Sequence, residues 1–252
     1  MRELYPNPAA DVDPVERYGA DDRTASTGER PWVLVNMIAT VDGATAVDGR
    51  SGGLGGPADK VVFGAIRAVA DMILVGAGTV RAEAYGSPRT PPTRDAPPRL
   101  AIVTRSLDID PASRVFTDAP TDRRPIVVTT DRSDAARRDE LARVADVMIA
   151  GDDDVDVELA LTELRAQGSR VVLCEGGPSL NGHLVAAGVL DELCVSLAPL
   201  VAGGSSPRLA HGLVPPDVTA MRLDRALEAD SMLFLRYVRD GAVSVVSERS
   251  PS

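Results

Sequence analysis

Short apolar runs alternate with amphipathic stretches along this chain of 252 residues, and no other feature limits the possible folds so strongly. Apolar runs typical of buried strands occur at 32–40, 72–75, 99–104, 126–130, 147–150, 170–174, 192–199 and 231–238. Apolar residues at helical spacing fall within 58–70, 134–144, 157–167 and 179–187. Because strands that alternate with helices form a sheet covered on both faces, we predict an α/β fold of three layers around a mixed, mostly parallel central sheet.

Composition separates one core from two tails. Residues 1–30 carry Pro, Asp and Arg with little periodicity, and 241–252 look similar. We expect an extended or partly disordered N-terminal arm at 1–30, a single domain at 31–240 and a C-terminal tail at 241–252.

Charge and composition disfavour several classes of protein. A net charge of −10 repels a phosphate backbone, which argues against nucleic-acid binding. No apolar run reaches the roughly 20 residues that a membrane span needs. The first residues, MRELYPNPAAD, have no apolar signal core, and Cys174 and Cys194 lie in apolar runs without the spacing of a metal site. We therefore expect a cytoplasmic protein with reduced cysteines and no metal, membrane or nucleic-acid partner.

Two glycine-rich turns each follow a predicted strand and open a helix. The first is GAGT at 76–79, and the second is EGGPSL at 175–180. Glycines let a ligand approach the backbone, and the following helix offers free N–H groups at its positive end. Each turn alone also fits a tight connection without a ligand. Together, at the edge of one sheet, they suit the pyrophosphate of a dinucleotide.

Two further segments have candidate binding roles. Asp42-Gly43 follows the first strand, and five glycines then fall between positions 49 and 56. That stretch fits either a flexible hairpin or a mobile lid over a substrate. Arg105 and Ser106 follow the strand at 99–104, where they would suit the 2′-phosphate of NADPH.

Taken together, these motifs resemble the reductase domain of bacterial riboflavin biosynthesis, the RibD C-terminal domain family. The similarity is carried, in the family's order, by TVDG at 40–43, GRS at 49–51, DMILVGAGTVRAE at 71–83, EGGPSLNGHL at 175–184 and AGVLDELCVSLAPLVAGG at 187–204. It covers roughly 31–240, and the H-x-E and P-C-x-x-C signature of the family's zinc deaminase domain is absent. The resemblance implies a stand-alone reductase with a dihydrofolate-reductase-like fold, NADPH as cofactor, a small heterocyclic substrate and a homodimer.

The resemblance also assigns residues to the site. It places the cofactor against Ile38, Gly53, Thr79, Glu83, Gly177, Pro178, Ser179, Leu180, Asn181, Gly182 and His183. The strand ends and glycine turns add Gly76, Gly78, Thr104, Arg105, Ser106 and Gly176. The substrate would contact Asn36, Ser51, Arg67, Ser87, Thr90 and Glu175. The family usually has lysine where Asn36 stands, an aromatic residue where Gly53 stands and Asp where Glu83 stands.

The reaction implied by the resemblance is reduction of 5-amino-6-(5-phosphoribosylamino)uracil, with hydride transfer from NADPH to C1′ of an open-chain ribosyl imine. Glu175 and Asp42 are the candidate catalytic acids. Because Asn36 lacks the lysine charge, reduction of dihydrofolate or another small heterocycle stays open. A non-catalytic NADP-binding sensor is the third alternative.

Overall fold

The computed structural model describes residues 1–24 and 28–240, so the predicted C-terminal tail lies outside the described residues. Within those residues ten strands form one sheet: β1 (Arg2–Tyr5), β2 (Trp32–Thr40), β3 (Met72–Gly76), β4 (Arg99–Val103), β5 (Ile126–Thr129), β6 (Asp146–Ile149), β7 (Val171–Cys174), β8 (Glu192–Ala198), β9 (Met221–Ala229) and β10 (Met232–Arg239). The helices are α1 (Pro14–Gly19), α2 (Pro57–Val69), α3 (Ala77–Ala82), α4 (Arg114–Thr117), α5 (Ala135–Leu141), α6 (Val157–Ala166) and α7 (Pro178–Ala186).

The strand order is β1-β9-β10-β8-β2-β7-β3-β4-β5-β6. Every pair from β8 to β6 is parallel, and β10, β9 and β1 continue the sheet in antiparallel pairs. The predicted mixed, mostly parallel sheet is therefore confirmed. Because β8, β2, β7 and β3 run the same way, their carboxyl ends meet at one edge, where parallel sheets commonly bind ligands.

Helices cover both faces of this sheet, as predicted. Leu34 of β2 packs in a core beneath α2, whereas its neighbours Val33 and Val35 pack in a second core with α6 and α7. This alternation follows from the two-residue period of a strand. The sequence of α2 explains its start, because Pro57 occupies the first turn, where its missing N–H costs no hydrogen bond.

The N-terminal segment differs from the extended or partly disordered arm that its composition suggested. It contains β1, which pairs with β9, and α1, whose Tyr18 is 1% exposed. Arg23 donates from Nε and Nη2 to the buried carboxylate of Glu192, with both distances 2.9 Å. Ion pairs with residues far along the chain hold this segment against the sheet. Such contacts leave no periodic pattern in the local sequence, so the sequence does not reveal that the segment is ordered. Strand β9 is hidden from pattern reasoning for a similar reason, because Arg225 points inward to Asp21.

Candidate active site

A cavity of about 560 Å³ lies at the carboxyl edge of the central strands, on the face covered by α2. Its wall includes Asn36 and Ile38 from β2, Ser196 from β8, and Asp59 and Phe63 from α2. The glycine turns and the loop after β2 close the remaining sides. The cavity therefore lies where the strand ends, one helix layer and the predicted lid meet.

The two glycine turns contact each other directly. The Gly76 N–H donates to the Gly176 carbonyl at 2.8 Å, and the Gly176–Gly177 peptide bond is cis. Gly176 has a φ of +88°, which favours glycine. A Cβ added at Gly177 would lie 2.9 Å from the Thr79 hydroxyl, so a side chain there would fill the space between the turns. The glycines thus let the two turns pack directly against each other at the strand ends.

An ion pair between α2 and the turn after β7 borders the cavity. Arg67 donates from Nε to Glu175 Oε1 at 2.7 Å and from Nη2 to Oε2 at 2.8 Å. Arg67 Nη2 also lies 2.6 Å from the Tyr85 hydroxyl, which in turn donates to Glu175. The Glu175 side chain is 4% exposed, and the Arg67 guanidinium lies 4.3 Å from the centre of the Phe63 ring. This geometry fixes the carboxylate in one orientation.

Protonation states within this group follow from its surroundings. Burial raises the pKa of Tyr85 well above its ordinary value, and the neighbouring Glu175 charge adds to the rise. Burial alone would lower the pKa of Arg67, but hydrogen bonding and charge from Glu175 and Tyr85 outweigh it and raise the pKa. Tyr85 therefore keeps its proton and Arg67 its charge at neutral pH.

A second cavity, of about 770 Å³, adjoins the first and shares Lys60, Phe63, Glu83 and Tyr85 with it. Its wall carries cationic and hydroxyl side chains, namely Lys60, Arg67, Arg89, Arg114, Ser87, Thr90 and Thr93. Glu83 is the one carboxylate among its lining residues in the described part of the chain, and it accepts hydrogen bonds from the Ser51 N–H and hydroxyl at 2.7 and 2.9 Å. The second cavity is thus a basic recess in an acidic protein.

Asp59 is a site residue that pattern reasoning missed. It lies in the first turn of α2, where an acidic residue is ordinarily read as a partner of the helix dipole. Its carboxylate lines the first cavity, and a Cβ at Gly55 would lie 2.5 Å from Oδ2. Burial raises the pKa of Asp59, and the Ser196 hydroxyl opposes that rise only in part. Tyr85 was missed as well, because it lies in a loop without periodicity.

Asp42 has a different environment from Glu175. Its carboxylate accepts from the Thr40 hydroxyl at 2.5 Å and from the N–H groups of Ala202 and Gly203 at 3.1 and 2.7 Å. The Thr40 hydrogen bond, followed by those from Gly203 and Ala202, lowers the pKa of Asp42 to about 2. The lining of the first cavity does not include Asp42, which instead ties the loop after β2 to the loop after β8.

The remaining predicted residues fall into groups. The first cavity includes Asn36, Ile38, Ser51, Gly78, Thr79, Glu83, Glu175, Gly177 and Pro178, and the second includes Arg67, Ser87 and Thr90. Asn181 and Gly182 contact their own chain, since Asn181 Nδ2 donates to the Leu209 carbonyl at 2.7 Å and Gly182 abuts His211. Leu180 is buried in the core, and the Thr104 hydroxyl accepts a hydrogen bond from the Leu107 N–H. His183 is half-buried. Four of the predicted residues are exposed: Gly53, Arg105, Ser106 and Ser179. The ligand contacts of all these residues stay predictions.

Residues 1–24 and 28–240 lack the features of two other kinds of site. No helix in these ranges is long and apolar enough to cross a membrane. No group of three or more His, Cys, Asp and Glu side chains in the same ranges could hold a metal ion.

Sequence comparison connects this geometry to known proteins. The model of the family described as RibD C-terminal domain matches residues 31–234. The chain is 32% identical over 186 residues to 2,5-diamino-6-ribosylamino-4(3H)-pyrimidinone 5′-phosphate reductase from Methanothermobacter thermautotrophicus, with 71% of this chain and 82% of the relative covered. It is also 32% identical over 188 residues to the riboflavin biosynthesis protein RibD of Bacillus amyloliquefaciens, covering 72% of this chain and 49% of that protein.

Solved structures give a consistent picture. A pyrimidine reductase-like protein from Corynebacterium diphtheriae matches with a TM-score of 0.80 and 26% identity, covering 92% of this chain and 100% of that one. The riboflavin biosynthesis reductase of Saccharomyces cerevisiae has the same fold, with a TM-score of 0.66, 19% identity, and coverage of 90% of this chain and 97% of that one. Since the family model matches most of the chain, this protein belongs to the RibD C-terminal domain family.

Proposed function

We propose that this protein is an NADPH-dependent reductase of a ribosylaminopyrimidine 5′-phosphate in riboflavin biosynthesis. Relatives from Methanothermobacter thermautotrophicus and Aquifex aeolicus, which are 32% and 30% identical to this chain, are named as reductases of such a phosphate. The observation that carries the proposal is the cavity where two glycine turns meet the buried Arg67–Glu175 pair and adjoin a basic recess.

The residues at the strand ends fit a nicotinamide dinucleotide. Helix α7 begins with Gly177 as its N-cap residue and has no side-chain cap, so its first N–H groups are available to a phosphate. Gly78 lines the cavity with open space where a side chain would be, and Thr79 adds a hydroxyl. Exposed Arg105 and Ser106, after β4, would bind the 2′-phosphate. Bound NADPH supplies the hydride.

The basic recess suits the phosphate of the substrate. A phosphate ester gains most from several cations and hydroxyl donors, and Lys60, Arg89, Ser87 and Thr90 provide them on the wall of the second cavity. The pyrimidine ring would then occupy the first cavity, because Lys60 and Tyr85 border both spaces. A substrate that lies across this shared border would have its ring in the first cavity and its phosphate in the second.

The proposed reaction turns the C=N bond of an open-chain ribosyl imine into a C–N single bond. Hydride adds to C1′, and one proton from solution ends on the nitrogen. Arg67 engages both oxygens of Glu175, so this carboxylate presents fixed acceptors that can orient the substrate. We assign substrate orientation to Glu175 and the shape of the lid to Asp42, whose contacts hold the two loops together.

A steady-state assay tests the proposal. The purified protein would be mixed with NADPH and, in separate reactions, with 2,5-diamino-6-ribosylamino-4(3H)-pyrimidinone 5′-phosphate, its deaminated uracil form, and dihydrofolate, while NADPH absorbance is followed. We expect turnover with a pyrimidine phosphate, and about a 100-fold lower kcat/KM for Glu175→Gln, the size of effect seen when one preorganised group is removed. Turnover with dihydrofolate alone, or with none of the three, would contradict the proposal.

Cellular location and assembly complete the proposal. The two cysteines within the described residues are free and buried, which supports a location in the reducing cytoplasm.

We also propose a homodimer, and the strongly exposed Val201, Val214 and Val218, at 81%, 89% and 82%, supply apolar surface for it. Sedimentation of the wild type as a monomer at micromolar concentration would exclude a stable dimer.

A further inference from the structure

A third cavity, of about 520 Å³, lies at the amino edge of the sheet, away from the glycine turns. Its wall includes Val15 of α1, Ala68 of α2 and Val171 at the start of β7. It shares Val15, Ala68 and Thr93 with the second cavity, so the two spaces adjoin. The reaction described above does not use this third cavity.

Two arginines on this wall carry charges that no carboxylate balances. Arg165 of α6 is half-buried and Arg170 is exposed, and neither guanidinium pairs with an acid among residues 1–24 and 28–240. The two carboxylates of the wall, Asp21 and Asp71, already pair with other arginines. The third cavity therefore has an excess of positive charge that an anionic ligand can balance.

Hydrogen bonds fix the backbone beside these cations. Asp71 Oδ2 accepts from the N–H groups of Arg170 and Val171 at 2.9 and 3.1 Å, and Asp71 Oδ1 accepts from Arg94 Nη2 at 2.8 Å. Arg94 Nη1 also donates to the Ala70 carbonyl at 2.8 Å. These bonds connect the end of α2, the start of β7 and the loop that carries Arg94. Because the wall is held in place without a ligand, binding would cost little ordering of the backbone.

The chemistry of the third cavity fits a phosphate monoester of about the size of a mononucleotide. Two guanidinium groups suit a doubly charged phosphate, because each can donate two parallel hydrogen bonds to its oxygens. Val15, Val69 and Val171 are only partly buried, so the apolar part of a ligand placed against them would leave water. A volume of about 520 Å³ is typical of small-molecule sites.

We propose that the third cavity binds a phosphate monoester through Arg165 and Arg170, and that the bound ligand weakens the binding of the substrate. The second part rests on the proposed function, which places the substrate phosphate in the second cavity. Only the residues that the two cavities share would then separate the two phosphates, and like charges so placed repel each other. The ligand would therefore inhibit the enzyme without entering the active site.

Calorimetry tests the site directly. AMP and ribose 5-phosphate, a nucleotide and a sugar phosphate, would be titrated separately into the wild type in the presence of saturating NADP. We expect at least one of them to bind, and to bind about tenfold or more weakly to the variant Arg165→Ala/Arg170→Ala, since charge-assisted hydrogen bonds are lost. Arg143→Ala, which removes an exposed arginine after α5, is the matched control and should bind as the wild type does. No binding of either probe at millimolar concentration, or unchanged binding in the double variant, overturns the inference.

A further variant distinguishes the third cavity from the second. Arg89 lines the second cavity and not the third, so Arg89→Ala should keep the affinity for the probe. If Arg89→Ala loses binding while Arg165→Ala/Arg170→Ala retains it, the probe occupies the recess of the substrate and the inference is wrong.

Kinetics test the effect on the substrate. In the wild type, a saturating concentration of the bound probe should raise the KM for the pyrimidine phosphate about threefold or more and leave kcat unchanged. Without the probe, the double variant should have the KM and kcat of the wild type, because neither arginine lines the first or second cavity. With the probe, its KM should not change. A probe that binds without raising the KM of the wild type, or that raises the KM of both proteins equally, overturns the inhibitory role.

The binding measurement separates this inference from the proposed function, because it needs no turnover. If no pyrimidine phosphate is reduced but a probe binds through Arg165 and Arg170, the proposed reaction is wrong and the binding site in the third cavity stands.

Discussion

Arg67 and Glu175, 108 positions apart in the chain, form two parallel hydrogen bonds of 2.7 and 2.8 Å at the border between two cavities. One residue belongs to the helix layer and the other to a strand end. Their contact joins the two layers at the edge of the sheet, with Glu175 largely removed from solvent. Both the stability of this edge and the orientation of the carboxylate depend on the pair.

Removing one partner of this ion pair should destabilise the protein. Arg67→Ala leaves the buried Glu175 carboxylate without its cation, and we expect the free energy of unfolding in urea to fall by about 3 kcal/mol. Arg114→Ala is the control, because its ion pair with Asp118 is exposed and should contribute less than about 1 kcal/mol. Similar losses in the two variants would contradict the structural role of the pair.

The Tyr85 hydroxyl should support the same pair. It contacts both Arg67 and Glu175, so Tyr85→Phe removes two hydrogen bonds and should lower the free energy of unfolding by about 1–2 kcal/mol. Because these groups form one network, the losses in Tyr85→Phe and Arg67→Ala should not add in the double variant. Strict additivity in denaturation experiments would show that Tyr85 acts independently.

Arg105 should determine the choice between phosphorylated and unphosphorylated cofactors. The residue is exposed directly after β4 and is proposed to contact the 2′-phosphate. Arg105→Ala should raise the KM for NADPH about tenfold and change the KM for NADH little, as a charge-assisted hydrogen bond is lost only for NADPH. Equal effects on both cofactors would remove this residue from the 2′-phosphate site.

Asp42 should make the loop contacts sensitive to acid. The pKa of its carboxyl is lowered from 3.8 to about 2 in the folded protein, so its stabilising effect is present above about pH 4 and is lost as the pH falls towards 2. The wild type should therefore be more stable than Asp42→Asn at neutral pH, and the difference should shrink between pH 4 and 2. Thermal unfolding over this range measures it, and a constant difference would indicate that the charge of Asp42 does not matter.

The N-terminal segment should be required for stability through Arg23. Its guanidinium is 5% exposed and pairs with the fully buried Glu192, so Arg23→Ala should lower the free energy of unfolding by about 3–5 kcal/mol. Arg132→Ala, which removes exposed ion pairs with Asp152 and Asp153, is the control and should cost less than about 1 kcal/mol. A small effect in both variants would support the flexible arm that the composition of this segment suggests.

Pattern reasoning works where structure follows from neighbouring residues. The alternation at β2, α2 and β7 predicts the layers correctly, since apolar period and length distinguish strand from helix. It fails at β1, α1 and β9, where charged residues point inward and find partners far along the chain, as Arg225 does with Asp21. A charge normally indicates solvent, so no local signal marks these elements as buried.

The amino-acid sequence by itself determined the three-layer architecture, the positions of both glycine turns and the resemblance to the RibD C-terminal domain family. Only the tertiary structure brought Arg67 and Tyr85 to Glu175, placed Asn36 and Asp59 in one cavity wall, and showed that Asp42 contacts the loop after β8. The physical reason is that strand order and register decide which distant side chains meet. Burial and charge then set the chemistry of each group, and neither can be read from its immediate neighbours.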